Sequence, residues 1–333
     1  MRDKVKSSTI LLREPIEELS EGYMMEMQQR DKTKKIYDVD PYAEVYQLRD
    51  NVYGILTQSA DGMGDPWMYL IIGPEKAMLI DTSFGIGNLK GLCDEITGGM
   101  PLVVGNTHPS FDHSYGNAAF GRAYCHEYAV PYMQQQMNPH IWDYLFDPDG
   151  NPIWLNFDRE DIIHYQDWEA VGLANHALIN LGGDYDIELI HLPGHHAGHC
   201  GFLDRKQRLL FCGDVFLSMR VGIGGPRPNM PYNQYATVEA LRNEMVLLAK
   251  RTDEIDRLFP GHFVLDIRST VIPSMAEALD AIVKNPGAYH YKEKTPRGFQ
   301  YFRFVKGLGT VAYNDNSVYM KGKIDIENGR LEP

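Results

Sequence analysis

The chain has 333 residues, of which 44% are apolar and 11% aromatic, so it has enough material for a large folded core. Its formal net charge of −13 argues against nucleic acid and anionic membranes as partners, because phosphate binding requires clustered lysine and arginine. No apolar run reaches the roughly 18 residues of a membrane span, and residues 1–6 lack the apolar core of a signal peptide. We therefore expect a cytoplasmic protein that acts on a small molecule.

Residues 1–43 are charged and only loosely periodic, so we predict an N-terminal extension that packs on the surface or on a partner subunit. Within it, residues 16–19 and 23–27 have the spacing of one or two short helices. Regular structure is predicted to begin at Glu44. Short apolar runs between turn residues predict strands at residues 44–48, 51–56, 68–72 and 77–81, the first two forming a hairpin.

The second half of the chain returns to the same pattern of short apolar strands. These strands are predicted at residues 177–181, 187–191, 200–203 and 208–212. Apolar spacing near 3.6 residues predicts helices at residues 88–97, 115–123, 237–250 and 271–283. Two strand-rich halves, each followed by helices, predict an α/β fold in which two sheets lie between helical layers.

Two segments depart from this alternation. Residues 126–170 are rich in aromatic side chains and are predicted to be an insertion, either a lid over an active site or a second small hydrophobic cluster. Residues 286–333 form a tail with a predicted β-hairpin, whose strands are residues 299–304 and 311–313. We expect the tail to pack on the main domain, residues 44–285, or on a partner subunit in a homodimer.

The four cysteines, Cys93, Cys125, Cys200 and Cys212, are far apart and contain no Cys-x-x-Cys pair. This spacing argues against a disulfide framework and a structural zinc knot. Cys200 and Cys212 lie in apolar segments and are predicted to be buried thiols. A reactive role stays open for Cys200, because it is close in sequence to several histidines.

Side chains that could bind a metal follow apolar strands at four separate places. They are His108, Asp112 and His113 after residues 101–104, His195 after residues 187–191, Asp214 after residues 208–212, and His262 after residues 258–260. Neutral imidazoles and carboxylates are the ligand set of zinc, iron and manganese. The glycine-rich run at residues 222–225 precedes Pro226 rather than a helix, so it is a weak nucleotide-binding signal.

The run from His108 to His113 resembles the His-x-His-x-Asp-His signature of the metallo-β-lactamase superfamily, with Ser110 where the second histidine is usual. The resemblance covers about residues 44–285 and includes the strand end at residues 79–82. It implies a four-layer αββα sandwich with metals at one edge of the two sheets. The predicted sheets and helical layers agree with that architecture.

The resemblance also implies a role for each ligand. His108 and His195 would bind a first metal, Asp112, His113 and His262 a second, and Asp214 would bridge them. Ser110 would either hold a metal-bound water or leave the first site weak. His196 is a candidate substitute ligand, whereas His199 is expected to make a structural hydrogen bond.

The implied activity is that of a metal-dependent hydrolase with one or two Zn²⁺ ions, or with iron or manganese instead. A metal-bound hydroxide would attack an ester, lactone, thioester or amide. Asp112 and Asp214 are the expected catalytic residues, which orient the hydroxide and carry a proton. Arg220 and Arg227 are either anchors for an anionic substrate group or exposed loop residues. The alternatives are an iron-dependent redox enzyme on the same fold and a catalytically silent metal-binding relative.

Overall fold

The computed structural model describes residues 31–62, 64–154, 157–327 and 330–331, together with Met24 and Gln28. The short helices expected at residues 16–19 and 23–27 lie outside the described residues, except that Met24 is helical.

The apolar runs of the first half pair into an eight-stranded sheet in which the strands follow chain order. They are β1 (Lys35–Tyr37), β2 (Asp40–Arg49), β3 (Val52–Thr57), β4 (Trp67–Ile72), β5 (Ala77–Ile80), β6 (Leu102–Gly105), β7 (Arg122–His126) and β8 (Glu169–Leu173). Strands β1 to β5 pair antiparallel, and β5 to β8 pair in parallel. The predicted hairpin of β2 and β3 is confirmed, but the sheet begins at Lys35 rather than at Glu44.

The strands of the second half form another layer. They are β9 (Leu178–Asn180), β10 (Asp186–His191), β11 (Cys200–Asp204), β12 (Leu209–Gly213), β13 (Arg220–Gly222), β14 (Arg257–Pro260) and β15 (Ile267–Arg268). All except β13 belong to a six-stranded sheet in the order β15-β14-β12-β11-β10-β9. Within it, β14 runs parallel to β12, so both strands end at the same edge.

Besides the helical residues Met24 and Gln28, the described part of the chain contains five α-helices with defined bounds. They are α1 (Leu89–Thr97), α2 (Phe111–Ser114), α3 (Val130–Gln135), α4 (Val238–Leu248) and α5 (Val271–Lys284). The helix predicted over residues 115–123 is wrong: Tyr115–Ala119 is a short 3-10 helix, and β7 follows it. Gly121, with a φ of 75°, turns the chain out of the helical conformation there. No helix among the described residues has the length and apolar character to cross a bilayer.

The two sheets pack face to face over a core of large aromatic side chains, including Trp67, Tyr69, Phe202, Phe211 and Phe259. Helix α1 covers the outer face of the first sheet, and α4 and α5 cover that of the second. The expected αββα sandwich is therefore confirmed.

The insertion between β7 and β8 builds a hydrophobic cluster of its own. Trp142, Leu145, Phe146 and Phe157 are buried together with Phe84, and the Trp142 indole N–H donates to the Phe84 carbonyl at 2.7 Å. This packing agrees with the prediction of a second small cluster.

The tail contains β16 (Tyr291–Thr295), β17 (Gly298–Phe304), β18 (Thr310–Tyr313), β19 (Ile324–Asp325) and β20 (Arg330–Leu331). The predicted hairpin is confirmed as β17 and β18, and it is part of a four-stranded sheet, β13-β18-β17-β16. Tyr301, Val311 and Tyr313 are buried in the same core as α5. The tail thus packs on the sandwich.

Candidate metal centre

The predicted ligands come together because four strands deliver their following loops to one edge of the sandwich. The loop after β6 carries His108, and α2 contains Asp112 and His113. His195 follows β10, Asp214 directly follows β12, and His262 follows β14. All of these side chains except that of His195, which is half-buried, are buried.

The six residues form two groups. The ligand atoms of His108, His195 and Asp214 all lie within 4.8 Å of one another, as do those of Asp112, His113 and His262. This division matches the one that the resemblance implies. Asp214 lies between the groups: its Oδ1 is 3.5 Å from His113 Nε2, and its Oδ2 is 3.7 Å from the Nε2 atoms of both His195 and His262.

Each of the four imidazoles is oriented by a hydrogen bond at Nδ1. The partners are Thr107 Oγ1 for His108 (3.1 Å), Asp81 Oδ2 for His113 (2.8 Å), the Gly222 carbonyl for His195 (2.8 Å) and the Asp65 carbonyl for His262 (3.0 Å). Carbonyl and carboxylate oxygens can only accept a hydrogen bond. The Thr107 hydroxyl already donates its proton to Asp81, so it too can only accept from His108. When these imidazoles are neutral, every Nδ1 therefore carries the proton, and every Nε2 presents a lone pair to the centre.

With neutral imidazoles, the converging atoms have no protons to share with one another. His113 Nε2 lies 3.2 Å from His262 Nε2, which lies 3.1 Å from Asp112 Oδ2. In the other group, His108 Nε2 and Asp214 Oδ1 are buried with no hydrogen-bond partner among the described residues. Lone pairs and carboxylate oxygens at these distances repel unless a cation lies between them, so the donor set fits a divalent metal ion.

The electrostatics of the second group lead to the same conclusion. Burial alone would lower the pKa of His113, but the carboxylates of Asp112, Asp214 and Asp81 raise it well above its ordinary value. Burial would also lower the pKa of His262, but Asp214 and Asp112 outweigh that effect and raise it. For Asp112, burial raises the pKa, but the two imidazoles hold it well below its usual range. The site thus favours positive charge, which is what a metal ion supplies.

Ser110 stands outside both groups. It precedes α2 in an extended conformation and is half-buried, and its hydroxyl makes no hydrogen bond to another described residue. Its carbonyl accepts from the Ser114 hydroxyl at 2.7 Å. The residue thus begins the short helix that carries Asp112 and His113.

The two further histidines differ in what they contact. His199 Nε2 accepts a hydrogen bond from the Asp214 backbone N–H at 3.0 Å, which is the structural role expected for it. His196 Nδ1 accepts from the Gly198 N–H at 3.1 Å, and its ring packs edge-on against Tyr132. Burial lowers the pKa of both imidazoles, so both are neutral at physiological pH. His196 belongs to neither ligand group.

The sequence does not identify the groups that accept hydrogen bonds from the Nδ1 atoms and so orient the imidazoles. Backbone carbonyls, such as those of Asp65 and Gly222, have no side-chain signature. The glycine-rich run at residues 222–225 is the one sequence feature that points to this contact. A Cβ on Gly224 would lie 2.2 Å from the His195 carbonyl oxygen. The glycines therefore let this loop lie directly on the ligand loop.

All four cysteines are buried, and none is in a disulfide. Burial raises the pKa of each thiol, that of Cys200 included. The Cys200 thiol donates to the Asn106 carbonyl at 3.5 Å. A neutral, enclosed thiol is a poor nucleophile, which does not favour a reactive role.

Comparison with known proteins gives a matching family and several relatives. The family model described as the metallo-beta-lactamase superfamily matches residues 61–262. Acyl-coenzyme A thioesterase MBLAC2 of Homo sapiens is 25% identical over 232 residues, which cover 65% of this chain and 79% of that protein. Hydroxyacylglutathione hydrolase GloC of Haemophilus influenzae is 32% identical over 72 residues, covering 21% of this chain and 32% of that protein.

Among solved structures, the DIM-1 metallo-beta-lactamase superposes with a TM-score of 0.51 and 14% sequence identity. The match covers 73% of this chain and 99% of that protein. At this identity the similarity establishes the shared fold.

Proposed function

Because this chain belongs to the metallo-beta-lactamase superfamily, we propose that it is a metal-dependent hydrolase that cleaves thioesters of small molecules. The observation that carries the proposal is the convergence of four imidazole Nε2 atoms and two carboxylates on one buried centre. When bound there, a divalent metal supplies a Lewis acid and lowers the pKa of water toward neutrality. We propose zinc, since imidazoles and carboxylates are among its usual ligands.

Asp112 and Asp214 are the residues proposed to handle the proton. Hydrolysis adds water to the thioester carbonyl, breaks the C–S bond and releases a carboxylic acid and a thiol. A carboxylate that faces the centre can orient the water and accept its proton. The sulfur can leave as a thiolate without prior protonation, because an ordinary thiol has a pKa of about 8.5. An amide, in contrast, needs its leaving nitrogen protonated.

The similarity to the human protein MBLAC2, an acyl-coenzyme A thioesterase, favours the thioester over the ester, lactone and amide. A cleft of about 420 Å³ suits the acyl group, since small-molecule sites have roughly 300–1,000 Å³. Apolar side chains line part of it, including Leu56, Phe84 and Ile86, and polar side chains such as Glu44 and Gln58 line the rest. Asp65 also lines the cleft, and its carbonyl holds His262. The cleft therefore adjoins the second ligand group.

Metal analysis by mass spectrometry, together with a panel of substrates, tests the proposal. The panel presents one acyl group as a thioester, an ester and an amide, with a lactone as a fourth substrate. We expect stoichiometric zinc and fastest turnover of the thioester, and loss of turnover in Asp112→Asn. A protein that binds metal but has no hydrolytic activity would support the silent alternative, and a protein that holds no metal would contradict both enzymatic hypotheses. Iron with oxygen-dependent turnover would support the redox alternative.

A further inference from the structure

We propose that the loop of residues 222–235, here called the Arg227 loop, binds the nucleotide portion of a coenzyme A thioester. The adenine stacks on Tyr232, and Arg227 contacts the phosphates. The inference rests on the proposed thioester hydrolysis and names its substrate class.

The Arg227 loop is attached to the metal centre at its first residues. The Gly222 carbonyl accepts from His195 Nδ1, and the Gly224 N–H donates to the Gly194 carbonyl at 3.0 Å. The loop therefore borders the centre on the side of His195, whereas the acyl cleft borders it on the side of His262. A substrate that spans the centre would meet one surface with its acyl chain and the other with its thiol portion.

Tyr232 and Tyr235 of this loop form a stack with the neighbouring Tyr128 that ends at the surface. The Tyr128 ring stacks with that of Tyr232, with ring centroids 4.3 Å apart and an interplanar angle of 18°. It also stacks with Tyr235, with a centroid distance of 4.8 Å and an interplanar angle of 28°. Tyr232 is 39% exposed, and its φ of 62° is unusual for a tyrosine. The loop thus presents an aromatic ring to solvent in a fixed position. Such rings bind nucleobases by stacking.

The turn that carries Arg227 and Tyr232 is held by hydrogen bonds before any ligand binds. Asn233 accepts from the Arg227 N–H at 2.7 Å and donates its amide to the Arg227 and Met230 carbonyls. The Tyr132 hydroxyl donates to the Pro231 carbonyl at 2.9 Å and so fixes the loop to α3. A preorganised turn of this kind loses little conformational freedom when it binds a ligand.

The charge of Arg227 suits the phosphates. Its guanidinium lies 5.9 Å from the centre of the Tyr132 ring, the side chain is exposed, and it forms no ion pair with a carboxylate of the described residues. The protein as a whole carries −13, so a polyanionic ligand is repelled by most of the surface. An arginine without a carboxylate partner beside the centre can pair with phosphate oxygens in the bidentate geometry that guanidinium favours.

Two measurements test the proposal. Calorimetry gives the affinity of free coenzyme A for the metal-loaded protein without requiring turnover. Steady-state kinetics compares an acyl-coenzyme A with the N-acetylcysteamine thioester of the same acyl group, which has no nucleotide. For Arg227→Gln and Tyr232→Ala we expect affinity for coenzyme A to fall, and KM for the acyl-coenzyme A to rise, each about tenfold. Kinetics on the short thioester should be unchanged.

Tyr291→Ala is the matched control, since Tyr291 is equally exposed at 39% but lies in the tail sheet. Failure of the wild-type protein to bind coenzyme A would overturn the inference. So would an equal loss on both thioesters, because that result assigns the loop a structural role. If the wild-type protein binds coenzyme A but hydrolyses no thioester, the proposed function fails while the nucleotide site stands.

Discussion

Asp81 Oδ2 lies 2.8 Å from His113 Nδ1, and both residues are buried. The same carboxylate accepts from the backbone N–H and the hydroxyl of Thr107, each at 2.7 Å. Thr107 in turn accepts from His108 Nδ1. One carboxylate therefore orients an imidazole in each ligand group while belonging to neither group.

Asp81→Asn is expected to weaken metal binding about 10–100-fold, because the amide supplies one acceptor where the carboxylate supplies two. Competition with a chromophoric chelator measures the affinity. Asp204→Asn is the control, since Asp204 is also fully buried and accepts from Tyr185 and Gln207 away from the site. Equal affinities for Asp81→Asn and the wild-type protein would show that Asp81 does not position the ligands.

Ser110→Ala and Asp214→Ala should differ sharply. Asp214 contributes carboxylate oxygens near both ligand groups, so we expect its removal to abolish activity. The Ser110 hydroxyl forms no hydrogen bond to any of the proposed ligands, so its loss should lower turnover less than about threefold. Turnover and metal content are measured together. A loss as large for Ser110→Ala as for Asp214→Ala would make Ser110 a ligand or a catalytic group.

Gly261→Ala should reduce metal binding although it adds only a methyl group. A Cβ at Gly261 would lie 2.6 Å from His113 Cε1 and 2.7 Å from Asp214 Oδ1, so one ligand must move. Gly222→Ala is a matched control within the same site, since a Cβ there meets nothing within 4 Å. Metal content after dialysis compares the two variants. Full metal retention in Gly261→Ala would mean that the loop after β14 can move to accommodate the methyl group without displacing the proposed ligands.

The stacked imidazoles of His126 and His191 predict a loss of stability in acid. Their rings lie 3.8 Å apart. Burial lowers the pKa from 6.5 to about 3 for His126, helped by His191, and to about 4 for His191. As the pH falls, the histidines of the unfolded chain bind protons before the buried ones of the folded protein do. The contribution of the neutral pair to the free energy of unfolding is therefore complete above pH 6.5 and is lost as the pH falls below that value. By pH 5 the loss is about 2 kcal/mol per histidine.

Melting temperatures between pH 5 and 8 test this prediction in the wild-type protein and in His126→Phe and His191→Phe. The phenylalanine variants keep a ring but cannot bind a proton, so their melting temperatures should fall less steeply toward acid. His140→Phe replaces an exposed histidine and serves as the control. If all four proteins show the same slope, the stacked pair does not carry the acid sensitivity.

The convergence of the proposed ligands could be predicted from sequence because each follows an apolar strand within a few residues. Asp214 directly after β12 is an example, and the family signature supplied their division into groups. The error over residues 115–123 arose because apolar spacing there fits a helix, while Gly121 and the pairing of β7 with its neighbours decide the conformation. The orienting carbonyls of Asp65 and Gly222 were not predictable, since any residue type supplies a carbonyl.

The pairing of β13 with β18 lay equally beyond sequence reasoning, because the two strands are far apart in the chain and each is short. It joins Gly222 to Ala312 in a parallel register. The Gly222 carbonyl also accepts from His195 Nδ1, so the tail supports a proposed metal ligand through β13.

The matched family region ends at residue 262, yet the mechanical support of His195 extends to β18. A protein shortened to the matched region would keep all six ligands and lose the strand against which β13 is aligned. The region that matches the family model and the part of the chain that supports the proposed ligands therefore have different boundaries. Exchanging the tail between relatives would change how firmly a ligand is held, even where every ligand is retained.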